Sequence, residues 1–375
     1  MTLKSVKAIG LMSGTSLDGI DVAAIDTDGH SIEGFGPSFF RPYSAEERLI
    51  IENSTKAALK WNFSGPPPNI FAQAQAVVDR AHIEAVSTFL ENNALSPTDI
   101  DLIGYHGQTI LHRPPETARN GQTLQLGNGD EIARATGIAT VFDFRTNDMR
   151  HGGQGAPLAP VFHKALVDKA VHGGTTGILN IGGVSNITIV TETGGIFATD
   201  CGPGNGPLDT WISQNSSGSF DKDGRISLTG TPDFKLVDKW LRRDFFRKSA
   251  PKSADRWDFD VLGDLSGVSV ENGAATLVAF TAISIKHTLA NARRSIDQII
   301  VCGGGRHNPA MLAALREQRI SQIKTAEEIG WQGDDIEAQA FAYLAVRTAK
   351  QLPISYPETT GVERPCEGGR LADTK

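Results

Sequence analysis

Two short stretches of this chain share one plan, and that repetition limits what the chain can fold into more than any other feature. The first runs Val6-Lys7-Ala8-Ile9-Gly10-Leu11-Met12, breaks at Ser13-Gly14-Thr15-Ser16-Leu17-Asp18-Gly19, and resumes as Ile20-Asp21-Val22-Ala23-Ala24-Ile25-Asp26. The second runs Thr176-Gly177-Ile178-Leu179-Asn180-Ile181, breaks at Gly182-Gly183, and resumes from Val184 to Val190. In each, an apolar strand meets a Gly/Ser turn and a second apolar strand follows, which is the pattern of a β-hairpin. Gly14 and Gly182 stand almost half of the 375-residue chain apart. So long a spacing excludes a short-period solenoid and points to two domains that each open on a hairpin of one design.

Elsewhere, helix-spaced apolar residues alternate with short apolar runs. The spacing predicts helices over 70–95, 156–171, 232–246, 273–293 and 336–350, with strands over 99–104 and 299–302 and a strand end at 142–144. Strands alternating with helices define an α/β architecture. No low-complexity linker separates the halves, and the expected division is 1–140 and 141–375, with the C-terminal tail available to complete the first domain. The tail itself, 353–375, is rich in Pro, Gly and Thr and reads as irregular.

The 40 glycines suit either many tight turns or low complexity, and their placement decides. They gather where strands end, at 10–19, 152–155, 173–183, 202–206 and 303–305, so turns are the reading. With 36 Lys+Arg against 43 Asp+Glu the net charge is −7, which argues against a nucleic-acid surface. Uninterrupted apolar runs stop well short of the ~18 residues needed to cross a bilayer, so no membrane partner is expected. Cys201, Cys302 and Cys366 are too few and too scattered for a disulfide framework, and no signal-peptide core fits the start. A reducing cytoplasm is the expected compartment.

A turn such as Ser13-Gly14-Thr15-Ser16 aims several amides and hydroxyls at one point, and glycine lets a ligand approach the backbone closely. Two such turns, with the Gly303-Gly304-Gly305 run, could grip phosphates from two sides and place a base or ribose over the third loop. The Walker motif, the dinucleotide fingerprint, His-Glu-x-x-His and Gly-x-Ser-x-Gly are all missing. Carboxylates are the remaining chemical candidates. Asp200 ends the run Gly195-Ile196-Phe197-Ala198-Thr199 and enters a rigid Gly/Pro loop, which suits a general base and equally a turn or N-cap aspartate. Asp18 and Asp21 flank the first turn, where they could hold Mg²⁺ through water or simply be solvated. Arg145 and Asp148 could bind a sugar or pair with each other. His106 follows an apolar strand in Tyr105-His106-Gly107-Gln108-Thr109 and suits a structural role. Glu337 opens a helix, where it suits the dipole or a pocket.

Taken together, the segments 10–21, His106-Gly107-Gln108-Thr109, Asp143-Phe144-Arg145, Gly152-Gly153-Gln154-Gly155-Ala156-Pro157-Leu158, Leu179-Asn180-Ile181-Gly182-Gly183, Asp200-Cys201-Gly202-Pro203-Gly204-Asn205 and Val301-Cys302-Gly303-Gly304-Gly305 resemble the anhydro-N-acetylmuramic acid kinase family. They occur in family order across nearly the whole chain. The resemblance implies a two-domain actin-like, ribonuclease H-like ATPase fold with an interdomain cleft. It also implies the reaction of ATP, water and 1,6-anhydro-N-acetylmuramic acid to ADP and N-acetylmuramic acid 6-phosphate, in cell-wall recycling, by a cytoplasmic homodimer.

Position by position, it implies that Gly14, Thr15, Ser16, Leu17, Asp18, Gly19, Ile20 and Asp21 cradle ATP together with Gly182, Gly183, Gly303, Gly304 and Gly305. Asp18 would stand near Mg²⁺, Asp200 would be the base that activates water, and Gln108, Thr109, Arg145 and Glu337 would meet the sugar. Arg150 and His151 stand where the family commonly has small residues. Related levoglucosan kinases share the fold and the bridge chemistry, which leaves levoglucosan as the alternative substrate. A nucleotide-dependent binding module without sugar chemistry is the alternative of a different class.

Overall fold

In a computed structural model of the chain, which describes residues 5–115, 120–171, 173–254, 256–292 and 295–374, the first hairpin forms where the alternation puts it. Strands β1 (Val6–Ser13) and β2 (Gly19–Thr27) pair antiparallel from Val6↔Thr27 to Met12↔Asp21. A third antiparallel strand, β3 (Ile32–Pro42), follows, then helices α1 (Ala45–Trp61) and α2 (Ile70–Asn92). Next come β4 (Leu102–Arg113), β5 (Gln122–Leu126), α3 (Gly129–Thr136), β6 (Thr140–Phe142), α4 (Thr146–Arg150) and α5 (Pro160–Ala170). β4 lies parallel to β1, and β6 lies parallel to β4. No expectation from apolar spacing covered α1. Its signal lay in the capping box instead: Ser44 Oγ accepts the Glu47 amide at 3.2 Å and Glu47 Oε2 accepts the Ser44 amide at 2.8 Å.

The second hairpin repeats the first, with β7 (Thr176–Ile181) and β8 (Val184–Val190) antiparallel and β9 (Ile196–Pro203) antiparallel to β8. Helices α6 (Gly206–Asn215), α7 (Phe234–Trp240), α8 (Asp244–Arg247) and α9 (Val270–Ala292) precede β10 (Gln298–Cys302), α10 (Pro309–Glu317) and β11 (Gln322–Thr325). The single helix expected over 232–246 is two short ones, because Arg243 takes an extended conformation (φ −62°, ψ 154°) between them. α9 is long and apolar enough to cross a membrane, which the count of uninterrupted apolar runs overlooked. In the fold, 78% of its apolar window is buried, and it serves as the core helix of this sheet.

The chain closes with α11 (Ile336–Ala349), α12 (Pro357–Thr360) and β12 (Arg370–Ala372). The tail is therefore not irregular throughout, since β12 pairs antiparallel with β6 and extends the first sheet. The sheet orders are β12-β6-β4-β1-β2-β3, with β5 on β4, and β11-β10-β7-β8-β9. Without β12 and β5 the two coincide: a hairpin and third antiparallel strand on one side, two parallel strands on the other. The repeat seen in two turns thus extends to a whole five-stranded sheet.

Two compact units result, Met1–Val171 with Asp335–Lys375, and His172–Asp334. This differs from the expected division at 140, and packing gives the reason. α11 lies directly on β1 and β4: a β-carbon on Gly10 would stand 1.7 Å from the Ala338 carbonyl oxygen, and one on Gly104 would stand 2.1 Å from that of Phe341. The α5 ring of Phe162 lies 5.5 Å from the Tyr343 ring of α11, so α5 also stays with the first unit. The Arg347 guanidinium then ties the helix to the Gly29 carbonyl (2.6 Å), the Pro353 carbonyl (2.7 Å) and the Tyr356 hydroxyl (2.9 Å).

Candidate active site

In the first unit the turn between β1 and β2 is held from beneath. Ser13 Oγ donates to Gln108 Oε1 at 2.5 Å and accepts the Tyr43 hydroxyl at 2.9 Å, while Gln108 Nε2 donates to the Gly14 carbonyl at 3.1 Å. Gln108, expected to meet the sugar, is only 1% exposed and commits both ends of its amide to the main chain and side chains of this turn. The Leu17 amide closes the turn on the Gly14 carbonyl at 3.3 Å, with Leu17 itself at φ 56°. Leu17 and Ile20 point their side chains into the core, so only their backbone is left to meet a ligand. Thr15, Ser16 and Asp18 are exposed at the tip, Gly19 is buried against Arg41, and Asp21 lies within β2 opposite Met12. Asp18 Oδ1 accepts the Ser16 hydroxyl (2.6 Å) and the Gly19 amide (3.1 Å).

Farther along β4, Thr109 Oγ1 accepts Gln125 Nε2 at 3.2 Å. Arg145 meets His106, with its NH2 2.9 Å from His106 Nε2, and donates from NH1 to the Gly155 carbonyl at 2.8 Å. His106 Nδ1 donates to the Gly107 carbonyl at 2.8 Å, which makes the ring a neutral acceptor toward Arg145. Burial first, and then the Arg145 cation, push His106 well below the ordinary histidine range. His106 is therefore the strut that orients Arg145. Asp148 does not pair with Arg145: its carboxylate accepts the Gly155 amide (2.7 Å) and the Thr360 hydroxyl (2.6 Å), tying the 152–158 segment to the tail. Arg150 and His151 are exposed, as is Glu337 in the first turn of α11.

In the second unit three glycine segments that are distant in sequence come together. The Asn205 amide donates to the Gly182 carbonyl at 2.7 Å, and the Gly204 and Gly206 amides both donate to the Gly183 carbonyl at 3.1 Å. Gly303, at φ 72°, lies where a β-carbon would stand 2.1 Å from Asn180 Oδ1, and one on Gly305 would stand 2.4 Å from Ile181 Cγ2. Gly304 faces outward. Arg306 braces this last loop. Its side chain is 2% exposed, its NH1 donates to the Gly303 carbonyl (3.0 Å), and its Nε and NH2 meet Glu327 and Asp334, each at 2.8 Å. Its bond holds the Asp334 carboxyl below the usual range.

Asp200 sits on β9 at a bulge. Gly202 faces Ser185 and Asp200 faces Asn186, so Cys201 is the extra residue, and the strand's aim changes at the aspartate. Asp200 as a whole is 9% exposed. Its Oδ2 accepts the Ala254 amide at 2.7 Å, and its own amide donates to the Lys252 carbonyl at 2.9 Å. The Lys252–Ala254 segment thus holds one oxygen of the carboxylate and the main chain of Asp200 in place. Nothing in the sequence linked Lys252 to Asp200, because more than fifty residues separate them.

By fold, two sheets that share this five-strand order place the chain in the actin-like, ribonuclease H-like class. Within that class it belongs to the anhydro-N-acetylmuramic acid kinase family, whose model matches residues 6–373. The anhydro-N-acetylmuramic acid kinase of Caulobacter vibrioides is 45% identical over 366 residues, covering 98% of each chain. That of Rhizobium rhizogenes is 44% identical over 373 residues, covering 99% of this chain and 100% of its own. Among solved structures, the activator of the 2-hydroxyisocaproyl-CoA dehydratase from Clostridium difficile, with bound ADPNP, is similar at a TM-score of 0.46 and 13% identity, covering 92% of this chain and 96% of that one.

Proposed function

We infer that this chain is an ATP-dependent kinase of 1,6-anhydro-N-acetylmuramic acid. Water adds to the anomeric carbon as the bond from that carbon to the bridging oxygen breaks. The freed O6 takes the γ-phosphoryl group of ATP, the bond to the β-phosphate breaks, and ADP leaves with N-acetylmuramic acid 6-phosphate as the second product. Asp200 takes the proton of the attacking water. The observation that carries this reading is the Asp200 carboxylate, buried, bulge-aimed and bonded to the Ala254 amide, in a chain of this family.

The first turn, with Gly14 to Asp21, and the second, with Gly182 and Gly183, serve the phosphates through their amides, and Gly303 to Gly305 serve the adenosine. Gln108 supports the phosphate turn from below. Thr109, Arg145 and Glu337 serve the sugar, with Arg145 a cation suited to the lactyl carboxylate. Asp18 suits Mg²⁺, which takes one or two protein carboxylates and fills its other positions with phosphate oxygens and water. When bound, Mg²⁺ would neutralise phosphate charge during transfer. The enzyme acts as a cytoplasmic homodimer in cell-wall recycling, a state that sedimentation of the purified protein tests.

Purified protein with Mg-ATP should turn over 1,6-anhydro-N-acetylmuramic acid with a higher kcat/KM than levoglucosan, as the names of its relatives favour. Asp200→Asn should lower turnover by about 10²–10⁴-fold while leaving ATP binding intact. Equal activity on levoglucosan, or near-normal turnover by that variant, would overturn the respective assignment.

A further inference from the structure

Helix α9 carries hydroxyls where a core helix has no need of them. Thr281, Ser284 and Thr288 are each at most 3% exposed, and their spacing puts them on one face. A buried hydroxyl costs stability unless it is bonded, and one on a helix commonly turns back to the carbonyl four residues earlier. Thr276 does so, its Oγ1 donating to the Asn272 carbonyl at 2.6 Å. Thr281 and Thr288 reach away from α9 instead. Thr281 Oγ1 donates to the Gly204 carbonyl at 3.1 Å, and Thr288 Oγ1 donates to the Cys201 carbonyl at 3.0 Å. Between them, Ser284 Oγ has no partner among the described residues.

The carbonyl that Thr288 meets belongs to the bulge that aims Asp200. Cys201 is the extra residue there, and a bulge leaves its extra residue outside the strand ladder. The Cys201 carbonyl therefore needs a donor from another element, and α9 supplies it. On the other side, the Asp200 amide donates to the Lys252 carbonyl at 2.9 Å. The main chain that carries the Asp200 side chain is thus pinned once before it and once after it. Bulge and helix also touch closely: Gly202 lies at φ 144°, where a β-carbon would stand 2.9 Å from Ser284 Cβ. A carbonyl buried without a donor is costly, so without the Thr288 hydroxyl the bulge would shift until it found one.

We propose that Thr288 is a positioning residue for Asp200: its hydroxyl holds the Cys201 carbonyl and so fixes the direction in which the bulge presents the Asp200 carboxylate to the attacking water. The proposal rests on Asp200 being the base. Thr288 is buried and acts through the main chain of Cys201. A base takes a proton well only within hydrogen-bond reach, so moving the carboxylate by about 1 Å slows the chemical step without loosening the nucleotide. Shape and hydroxyl can be separated at this position. Valine keeps the outline of threonine without the hydroxyl, and serine keeps the hydroxyl without the methyl group.

The test is kcat with Mg-ATP and the anhydrosugar, expressed per ATP-binding site counted by titration. It compares the wild-type chain with Thr288→Val, Thr288→Ala, Thr288→Ser and Ser284→Ala, and repeats Thr288→Val in the Asp200→Asn background. Thr288→Val and Thr288→Ala should lose about tenfold in kcat with KM for ATP within about twofold of wild type, whereas Thr288→Ser should stay within about threefold in kcat. Ser284→Ala, which removes an unpaired hydroxyl from the same face, should match the wild type. In the Asp200→Asn background, Thr288→Val should change the residual turnover by less than about twofold, because the group it positions is already gone. An unchanged kcat in Thr288→Val overturns the proposal, as does a Thr288→Ser or Ser284→Ala variant that loses as much as Thr288→Val. So does a loss of the same size in the Asp200→Asn background, since Thr288 would then act on something other than Asp200. If Thr288→Val and Thr288→Ala fail to fold while Thr288→Ser folds, the hydroxyl serves the fold instead, and the proposal also fails. Near-normal turnover by Asp200→Asn alone would overturn the underlying reading of the base separately.

Discussion

Gly10 of β1 lies so close beneath Ala338 of α11 that a β-carbon on the glycine would stand 1.7 Å from the Ala338 carbonyl oxygen and 2.6 Å from the Ala342 amide nitrogen. Both obstacles are helix backbone, which no rotamer change relieves. Gly10→Ala should therefore push α11 off the sheet and destabilise the first unit by about 3 kcal/mol or more. Thermal melting would show it as a fall in Tm of about 6 °C or more. A Tm equal to wild type would mean that the helix does not seat on β1 in this way.

Gly182 makes the opposite case. Its φ is not left-handed, and the nearest atom to an added β-carbon is the Val184 carbonyl oxygen at 3.8 Å, so the fold has no need of glycine there. If the glycine exists for a phosphate's approach, Gly182→Ala should leave Tm within about 2 °C of wild type and raise KM for ATP by about tenfold. An unchanged KM would remove the turn from the phosphate site.

Arg306 links the glycine loop to Glu327 and Asp334, whose side chains are 48% and 70% exposed. Because those carboxylates remain solvated when the arginine is removed, Arg306→Ala should cost only about 1–2 kcal/mol. The larger effect should fall on the loop, which loses the bond to the Gly303 carbonyl. KM for ATP should rise by about tenfold while KM for the anhydrosugar stays within about twofold, and Arg306→Lys should not restore it, lacking the planar fork. Equal rises in both KM values would count against a nucleotide role.

Three buried histidines of the first unit and a half-buried fourth make it sensitive to acid. Burial pushes His82 and His163 down to about 4, and burial with the Arg145 cation brings His112 to about 4 and His106 well below its ordinary range. In the unfolded chain these rings bind protons near pH 6.5, so between pH 6.5 and 4 the unfolded state binds more protons than the folded one. Stability is then full above pH 6.5 and declines as pH falls toward 4, by about 3 kcal/mol at the lower end for each of the three rings that lie at about 4, with His106 acting in the same direction. The bonded carboxylates of the second unit, such as Asp264 and Asp334, lie below their ordinary value and act only at lower pH. Hydrogen exchange corrected for intrinsic rates should show peptides from β1, β4 and α5 losing protection at pH 5 while those from β7 and β10 keep it. Uniform protection across both units would refute the assignment.

Much of this chain could be read before it was folded, because the features that mattered were local. A hairpin needs only alternating strands and a turn residue, and both hairpins lie where Ser13–Gly19 and Gly182–Gly183 place them. The long helices over 70–92 and 336–349 follow from apolar spacing, and the glycine turns, Asp200 and the ordered motifs were visible as short strings. What the sequence by itself determined was the duplicated design and the chemistry available at each strand end.

Tertiary structure decided the rest, wherever the partner lies far away along the chain. Gly10 and Gly104 read as ordinary strand glycines until α11 is seen to lie on them, and that contact assigns the C-terminal segment to the first unit. Gln108 and Asp148 read as ligand candidates until their bonds to Gly14 and Thr360 show them holding loops in place. Lys252 carried no motif at all, and only folding brings its carbonyl onto the Asp200 amide. Hydrogen-bond direction, burial and charge proximity are properties of the packed chain, and they decided which polar residues are framework and which are left for chemistry.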